Sequence, residues 1–274
     1  MSNAVPADAA EGSTRSRSTS ASPPPQLDPA TLAILAGFLH EKDEADRQFQ
    51  ELSERVDKRR KAARAAGEDG EDGEDAQGHS ADHGEEADKA PMMTVDEFRR
   101  LFGEDWQLSQ FWYSQAFATT LAHYIRSLCP STSTRVAFLC CPTGYVGFQH
   151  TNPLPRTLLL EYDKRFELLD PDQFVHYDID EPEDVPEGIK GTVDIAICDP
   201  PFLNEVTNRK LAKTLKQILK PDSKLLLLTS TSVEHLFDQI YTEAPLGPLI
   251  KTDIQVGHAG GIQNNFGVWR NWSD

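Results

Sequence analysis

Five short runs of apolar residues constrain the fold of this chain more than any other feature. The runs lie at residues 135–141, 157–162, 174–177, 193–198 and 224–229. Helical patterns fall at 205–219, at 233–242 and inside 105–127. Near-continuous apolar strands are typical of a parallel sheet that is covered on both faces, and their alternation with helices predicts a doubly wound α/β domain. A final pair at 249–256 and 266–272 is expected to close the sheet, with its last strand antiparallel.

The composition divides the 274 residues into four parts. Residues 1–26 are rich in Ser, Ala and Pro, and residues 67–91 form an acidic linker rich in Gly, Glu and Asp. Segments of this kind bury too little apolar surface to fold, so both are predicted to be disordered. Residues 27–66 are predicted to form a helical N-terminal arm, because an apolar stripe at helical spacing follows a capping Asp28. Residues 92–274 are long enough for a single α/β core.

The charge balance disfavours nucleic acid as a partner. The net charge is −17, and residues 91–274 carry 16 Lys and Arg against 24 Asp and Glu. Nucleic-acid binding normally requires clustered positive charge. The four cysteines show no metal-ligand spacing, so we expect no metal site and a reducing compartment, with the cytoplasm as the expected location. No apolar run approaches 18 residues, so no membrane span is expected.

The tetrad Asp199-Pro200-Pro201-Phe202 directly follows the apolar run 193–198. In open α/β sheets, ligands bind beyond the carboxyl ends of the strands, which is where the tetrad is expected. A carboxylate and a proline carbonyl can accept hydrogen bonds from an amine, and the prolines fix the backbone without offering donors of their own. The tetrad therefore predicts transfer of a group to an amine nitrogen, as in methylation from S-adenosylmethionine. The alternative is a strand end at which the prolines only form a turn.

Acidic residues at the ends of the next two strands suit an adenosine-bearing cofactor. Glu161 follows the second apolar run and is predicted to accept hydrogen bonds from ribose hydroxyls. Asp178 follows the third run and is either a partner for the adenine amino group or a turn-forming residue. Asp163 is expected to cap the helix that begins near residue 164.

The loop after the first strand carries Cys141 and Pro142, which we also place in the cofactor site. It contains two glycines but no GxGxxG pattern, and Pro142 interrupts the expected fingerprint. The loop therefore disfavours a dinucleotide, whose pyrophosphate needs a close glycine turn. A sulfonium cofactor carries no phosphate and tolerates this loss. The crossover at 149–155 is predicted to be too rich in proline for a full helix.

Three motifs resemble those of the elongation factor 1-alpha lysine N-methyltransferase family. They are DWQLSQFWYS at 105–114, EYDKRF at 161–166 and DPPF at 199–202. These class I enzymes were once described as N6-adenine DNA methyltransferases because of their Asp-Pro-Pro-aromatic motif. The resemblance spans residues 27–274, with the acidic linker as an insertion. The loop after the first strand departs from the family, in which a fuller helix follows it.

The resemblance implies a fold, a cofactor and a substrate. The fold is a seven-stranded, Rossmann-like class I methyltransferase sheet, and the cofactor is S-adenosylmethionine. The protein substrate is elongation factor 1-alpha, methylated on a lysine. The residues implied for the cofactor include Tyr162 beside Glu161, and those implied for the target lysine are Phe111, Trp112, Tyr113 and Phe202. An aromatic cluster suits a lysine side chain through cation–π and apolar contact.

Two other functions remain compatible with the motifs. The tetrad would equally serve an N6-adenine methyltransferase of DNA or RNA, with Phe202 stacking on a flipped base. The chain would otherwise be an inactive scaffold that binds translation factors through its helical arm. We expect a monomer.

Overall fold

The computed structural model describes residues 28–68, 92–260 and 265–273. Its seven strands are β1 (Val136–Leu139), β2 (Thr157–Glu161), β3 (Phe174–His176), β4 (Val193–Cys198), β5 (Leu219–Ser230), β6 (Ile250–Lys251) and β7 (Phe266–Arg270). They form one sheet in the order β3-β2-β1-β4-β5-β7-β6. The neighbours from β3 to β5 are parallel, and β7 runs antiparallel to both β5 and β6. The predicted seven-stranded class I methyltransferase sheet with a terminal antiparallel strand is confirmed.

The strand order determines where a ligand crevice lies on the sheet. The chain runs from β1 outward to β3 and then returns to the other side of β1 with β4. A crevice opens beyond the carboxyl ends of the strands at such a reversal. The tetrad that follows β4 therefore lies opposite the loop that follows β1.

Both faces of the sheet are buried, as the apolar runs predicted. Successive side chains of a strand point to opposite faces. Leu226 and Leu228 of β5 accordingly pack in one apolar layer, while Leu225 and Leu227 pack in the other. This double burial explains why β5 is apolar at consecutive positions rather than at alternate ones.

Six helices accompany the sheet within the described ranges. They are α1 (Pro29–Glu68), α2 (Val95–Leu101), α3 (Gln115–Leu128), α4 (Pro142–Thr151), α5 (Glu205–Ile218) and α6 (Phe237–Ile240). Ser114 caps α3 by accepting a hydrogen bond from the Phe117 N–H, and Asn204 caps α5 by accepting one from the Thr207 N–H. Ser114 is the last residue of the motif at 105–114, and Asn204 lies two positions beyond the tetrad at 199–202, so each helix starts at the end of a motif.

The crossover after β1 differs from the sequence-based prediction. Residues 142–151 form the helix α4, whereas the sequence predicts a loop after β1 and a crossover at 149–155 that is too rich in proline for a full helix. Pro142 occupies the first turn of α4, where its missing N–H has no intrahelical partner to lose. The prolines at 153 and 155 lie beyond the end of the helix and do not disturb it.

The helix predicted inside 105–127 is confirmed as Gln115–Leu128, and a 3₁₀ turn, Trp106–Leu108, precedes it. Two other boundaries differ. The helix predicted at 233–242 is a 3₁₀ helix, Thr231–Leu236, followed by the short α6. The strand predicted at 249–256 is reduced to the two residues of β6. Short polar interruptions at these places favour turns over regular elements.

The predicted arm forms one continuous helix. The side chain of Asp28 accepts hydrogen bonds from the N–H groups of Ala30 and Thr31, so it caps α1 as expected. The chain divides into two compact units at Asp43 and Glu44. Within the second unit, Leu52 of α1 joins the apolar core and Phe49 contacts the ring of Phe102 at 5.6 Å.

The two segments predicted to be disordered fall almost wholly outside the described residues. Residues 1–26 lie outside them, as does the acidic linker from residue 69 to residue 91. The division into four parts therefore stays a prediction. Within the part of the chain that the structure describes, no helix is long and apolar enough to cross a membrane.

Candidate active site

A cavity of about 510 Å³ opens at the carboxyl ends of the first four strands. It brings together all twelve residues that the sequence analysis placed in a site: Phe111, Trp112, Tyr113, Cys141, Pro142, Glu161, Tyr162, Asp178, Asp199, Pro200, Pro201 and Phe202. The volume lies in the range of pockets that bind small molecules and cofactors. The two halves predicted separately, for cofactor and for target, thus form one continuous space.

Asp199 is held at the end of β4 by contacts on both sides. Its backbone N–H donates to the Leu139 carbonyl over 3.1 Å. The Tyr113 hydroxyl donates to Asp199 Oδ2 over 2.5 Å. Burial raises the pKa of Asp199 to about 7, although the hydrogen bond from Tyr113 opposes this shift. Burial also raises the pKa of Tyr113, which keeps the phenol protonated and able to donate.

Strained backbone is concentrated around this cavity. Among the described residues, three other than glycine have a positive φ: Ser109 at 56°, Cys140 at 52° and Phe202 at 52°. All three line the cavity. A bulky residue such as Phe adopts this conformation rarely, and strain of this kind tends to occur where a function requires it. Phe202 is 53% exposed and lines the cavity.

Glu161 provides a buried carboxylate at the end of β2. Its Oε1 accepts hydrogen bonds from the N–H groups of Tyr162 (2.9 Å) and Asp163 (3.4 Å). Burial raises the pKa of Glu161 to about 7, and these two hydrogen bonds oppose the shift. Asp163 itself accepts from the Arg165 N–H, so it caps the 3₁₀ helix Lys164–Leu168 as the sequence predicted.

Asp178 lies two residues beyond the end of β3 and is half-buried. Its Oδ1 accepts a hydrogen bond from the Asp180 N–H over 2.8 Å, which is the geometry of an Asx turn. The turn-forming role considered for Asp178 is therefore present. The same residue still lines the cavity, together with the exposed ring of Tyr162.

The amino terminus of α4 faces the cavity through Cys141 and Pro142. Cys141 at the N-cap makes no side-chain capping bond, and Pro142 has no N–H. A Cβ at Gly144 would lie 2.6 Å from Cys141 Sγ, so glycine is needed for this close packing. The positive end of a ten-residue helix can accept the carboxylate of an amino-acid-bearing cofactor.

Hydrogen bonds hold the segment from 104 to 113 at several points. Gln110 Nε2 donates to Asp163 Oδ2 over 3.1 Å, and Arg165 also binds that carboxylate. Trp112 lines the cavity but is only 3% exposed, and its indole N–H donates to the Phe102 carbonyl over 2.7 Å. The Trp112 ring packs against Phe98 in the core, so its contacts anchor the segment, whereas the sequence predicted a contact with the target lysine.

His258 is a site residue that the sequence analysis missed. Its backbone forms an antiparallel bridge with Tyr113, and the two rings lie 5.6 Å apart. Burial lowers the pKa of His258, so the imidazole is neutral near pH 7. A single histidine in a glycine-rich stretch gives no signal in the sequence. The other lining residues that were missed lie mostly within two positions of predicted ones or of Gln110, whose segment the family resemblance places across the site. They are Leu108, Ser109, Cys140, Thr143, Tyr177, Ile179, Asp180, Leu203 and Phe266.

The charges around the cavity have one sign. Its lining includes four carboxylates, on Glu161, Asp178, Asp180 and Asp199, and no Lys or Arg among the described residues. Lys210 pairs with Asp180 from outside the lining, at 2.7 Å. Within the described ranges no cluster of His, Cys, Asp and Glu is arranged to hold a metal ion. A cavity of this composition favours cationic ligands and disfavours phosphate.

Comparison with known proteins agrees with this geometry. A family model described as probable N6-adenine methyltransferase matches residues 104–274. The protein-lysine N-methyltransferase EFM5 of Saccharomyces cerevisiae is 35% identical over 193 residues, which cover 65% of this chain and 75% of that protein. A protein-lysine N-methyltransferase of Caenorhabditis elegans, M142.8, is 33% identical over 62% of this chain and 78% of its own length.

A vertebrate relative covers less of both chains. Human EEF1A lysine methyltransferase 1 is 38% identical over 136 residues, which are 48% of this chain and 60% of that protein. The family model covers more than half of the chain and includes the DPPF tetrad and the aromatic segment that lines the cavity. The chain therefore belongs to the methyltransferase family of that description, the family that the three sequence motifs indicated.

Proposed function

We propose that this chain is an S-adenosylmethionine-dependent protein-lysine N-methyltransferase that acts on elongation factor 1-alpha. The relatives named as protein-lysine N-methyltransferases support the reaction, and those named as EEF1A lysine methyltransferases support the substrate. We further propose that the protein acts as a monomer in the cytoplasm. The free state of all four cysteines is compatible with a reducing compartment.

The observation that carries the proposal is the acidic lining of the cavity, which includes no Lys or Arg among the described residues. A sulfonium cofactor and a lysine ammonium group are both cations, and four carboxylates line the space in which they would meet. Carboxylates attract these ligands most strongly where water is excluded. A nucleic-acid strand would have to bring its phosphates to the same carboxylates, which repel them.

The residues at the β1–β3 end of the cavity fit S-adenosylmethionine, which would supply a methyl group on a positively charged sulfur. Glu161 is buried and directed to the cavity, so it can accept from ribose hydroxyls, and Asp178 can accept from the adenine amino group. Tyr162 offers an exposed ring to the adenine. Cys141 and Pro142 begin α4, whose positive end suits the carboxylate of the methionine part.

The tetrad would orient the target nitrogen. Because Tyr113 already donates to Oδ2 of Asp199, the other carboxylate oxygen and the Pro200 carbonyl are the acceptors left for an amine. The exposed Phe202 ring would hold the alkyl chain of the lysine. Lysine must lose a proton first, since its ordinary pKa is about 10.4. Loss of water at the apolar entry lowers that pKa against the opposing effect of the carboxylates, and the proton would pass to water or to Asp199.

A second candidate is methylation of adenine in DNA or RNA. The description of the family model favours it, and Phe202 is exposed enough to stack on a base. The charge of the lining opposes it, because none of the described lining residues is a Lys or Arg that would pair with phosphate. We therefore place it second.

The test is transfer of a labelled methyl group from S-adenosylmethionine to purified elongation factor 1-alpha and, separately, to adenine-containing DNA. We expect label on a lysine of the factor and none on DNA. Asp199→Asn keeps the shape of the side chain but weakens an acceptor, and it should lower kcat by roughly 100-fold or more. Asp238→Asn, an equal charge change at an exposed position of α6, is the matched control and should leave the rate unchanged.

Each outcome discriminates between the candidates. Label on DNA that Asp199→Asn abolishes would establish the second candidate instead of the first. Label on the factor with full activity in Asp199→Asn would leave the lysine reaction standing but remove Asp199 from it. Absence of label on both would contradict the proposed function.

A further inference from the structure

Large apolar side chains that are exposed in the globular part of the chain are concentrated at one place. Over the described residues from 92 onward there are six of them: Trp106, Tyr162, Phe202, Leu203, Val206 and Ile250. Tyr162, Phe202 and Leu203 line the cavity, Trp106 contacts a residue that lines it, and Val206 follows Leu203 closely in the chain. Only Ile250, on the edge strand β6, has no such relation. Contiguous exposed apolar surface commonly marks an interaction site.

Trp106 is the most exposed aromatic residue of this group, at 73%. Its position is fixed, because the Asp105 side chain accepts from the Gln107 N–H at the start of the 3₁₀ turn. The Trp106 ring lies edge-on to Phe111 with 5.2 Å between centroids, and Phe111 lines the cavity. Tryptophan is enriched among the few residues that contribute most of the binding energy of protein interfaces, and Trp106 is exposed beside the cavity in a fixed position.

Phe202, Leu203 and Val206 supply apolar surface from the tetrad side. Asn204 fixes this stretch, because its N–H donates to the Phe202 carbonyl over 2.7 Å and its side chain caps α5. Val206 stands in the first turn of α5 and is 61% exposed. Two separate segments of the chain, one before α3 and one from the end of β4 into the first turn of α5, thus bring Phe111, Phe202 and Leu203 to the lining of one cavity. Trp106 contacts the first of these residues, and Val206 follows the last of them in the chain.

We propose that Trp106, Phe111, Phe202, Leu203 and Val206 form an apolar collar that binds large apolar side chains next to the target lysine of a protein substrate. The inference rests on the proposed function and adds to it the chemistry of the substrate segment. The cavity behind the collar accepts the cationic lysine, and the collar accepts its neutral neighbours. The substrate recognised best therefore has a lysine flanked by large apolar residues on an exposed segment and carries no phosphate there.

The collar can be separated experimentally from the reacting groups. Trp106→Ala and Val206→Ala remove apolar surface at residues that do not line the cavity. With elongation factor 1-alpha as the substrate, we expect each variant to raise KM for the factor, by roughly tenfold for Trp106→Ala. The Kd for S-adenosylmethionine, measured by calorimetry, should stay unchanged. Ile250→Ala is the control, because it removes an exposed apolar side chain outside the cavity lining and should change neither quantity.

Four results would contradict the proposal that the collar binds the protein substrate. An unchanged KM for the factor in both variants would show that the surface does not bind substrate. An equal loss of cofactor affinity would show that the changes disturb the whole site. A switch from dimer to monomer in light scattering would assign the surface to a second copy of this chain, and a raised KM for DNA in place of the factor would assign it to nucleobases. No methyl transfer to the factor by the unchanged chain would instead overturn the proposed function itself, which is a distinguishable result.

Discussion

At the scale of single residues, the hydrogen bond between Tyr113 and Asp199 controls the pH at which the tetrad carboxylate ionises. Burial alone drives the pKa of Asp199 upward, and the Tyr113 hydroxyl is the group that holds it down to about 7. A hydrogen bond to a charged group is worth about 1.5–3 kcal/mol, which corresponds to roughly one to two pKa units. In this role Tyr113 acts through Asp199 on the target amine.

Tyr113→Phe should therefore shift the acid limb of the pH–kcat profile to higher pH by roughly one unit or more. The rate near pH 7 falls because more of Asp199 is protonated, and it recovers as the pH rises. Tyr241→Phe is the matched control, because the hydroxyl of Tyr241 is also buried and bonded but lies outside the cavity lining. A lower rate at every pH with no shift of the limb would mean that Tyr113 has only a structural role.

The sequence identified the lining of the cavity better than the contacts within it. A carboxylate or an aromatic ring at the end of an apolar strand indicates a ligand crevice, because strand ends meet there. Trp112 donates to Phe102, only ten positions away, but the stretch between them is largely irregular and has no periodic pattern that would predict this contact. Nothing local to Tyr113 reveals that its hydroxyl donates to Asp199, because the two residues are 86 positions apart in the chain. The bridge between Tyr113 and His258 spans a still longer separation, and it was missed for the same reason.

At the scale of elements, the packing of α4 against α3 positions the start of the cofactor site. Gly147 allows this packing, because a Cβ there would lie 2.9 Å from the Ala118 Cβ and 3.2 Å from the Ala118 carbonyl oxygen. The strands were predicted well because burial on both faces leaves a plain apolar run. The helix α4 was missed because a proline inside a loop and a proline in a first helical turn look alike in sequence.

Gly147→Val should consequently push α3 and α4 apart. Overpacking of this kind costs about 1–3 kcal/mol, which outweighs the few tenths by which valine exceeds glycine in helix propensity. We expect a lower Tm and a weaker Kd for S-adenosylmethionine, because α4 begins at Cys141 and Pro142. Gly188→Val serves as the control, since no atom lies within 4 Å of a Cβ at that position. Equal Tm values for the two variants would contradict the close packing.

At the scale of the whole molecule, the cavity is a region that the fold maintains at a cost to its own stability. Glu161 and Asp199 are both carboxylates whose pKa burial raises to about 7. Three strained backbone positions line the same space. Such features are common where binding or catalysis needs a prearranged site, and they limit stability in the absence of ligand. A cationic cofactor would relieve the two carboxylates by favouring their charged forms.

Glu161→Gln tests this idea through the pH dependence of stability. Since folding raises the pKa of Glu161 from 4.5 to about 7, the folded chain holds this proton more tightly than the unfolded chain does. The resulting stabilisation is complete below pH 4.5 and is lost as the pH rises through about 7, a change of up to about 3 kcal/mol. Glutamine cannot ionise, so the Tm of the variant minus that of the native chain should grow between pH 5 and pH 8. The lowered pKa of His258 acts in the opposite direction, but it is common to both proteins and cancels in the difference.

Addition of S-adenosylmethionine at pH 8 should raise the Tm of the native chain more than that of the variant, because only the native chain keeps the carboxylate for the ribose. A Tm difference that does not change with pH would show that Glu161 is ionised without cost in the folded protein.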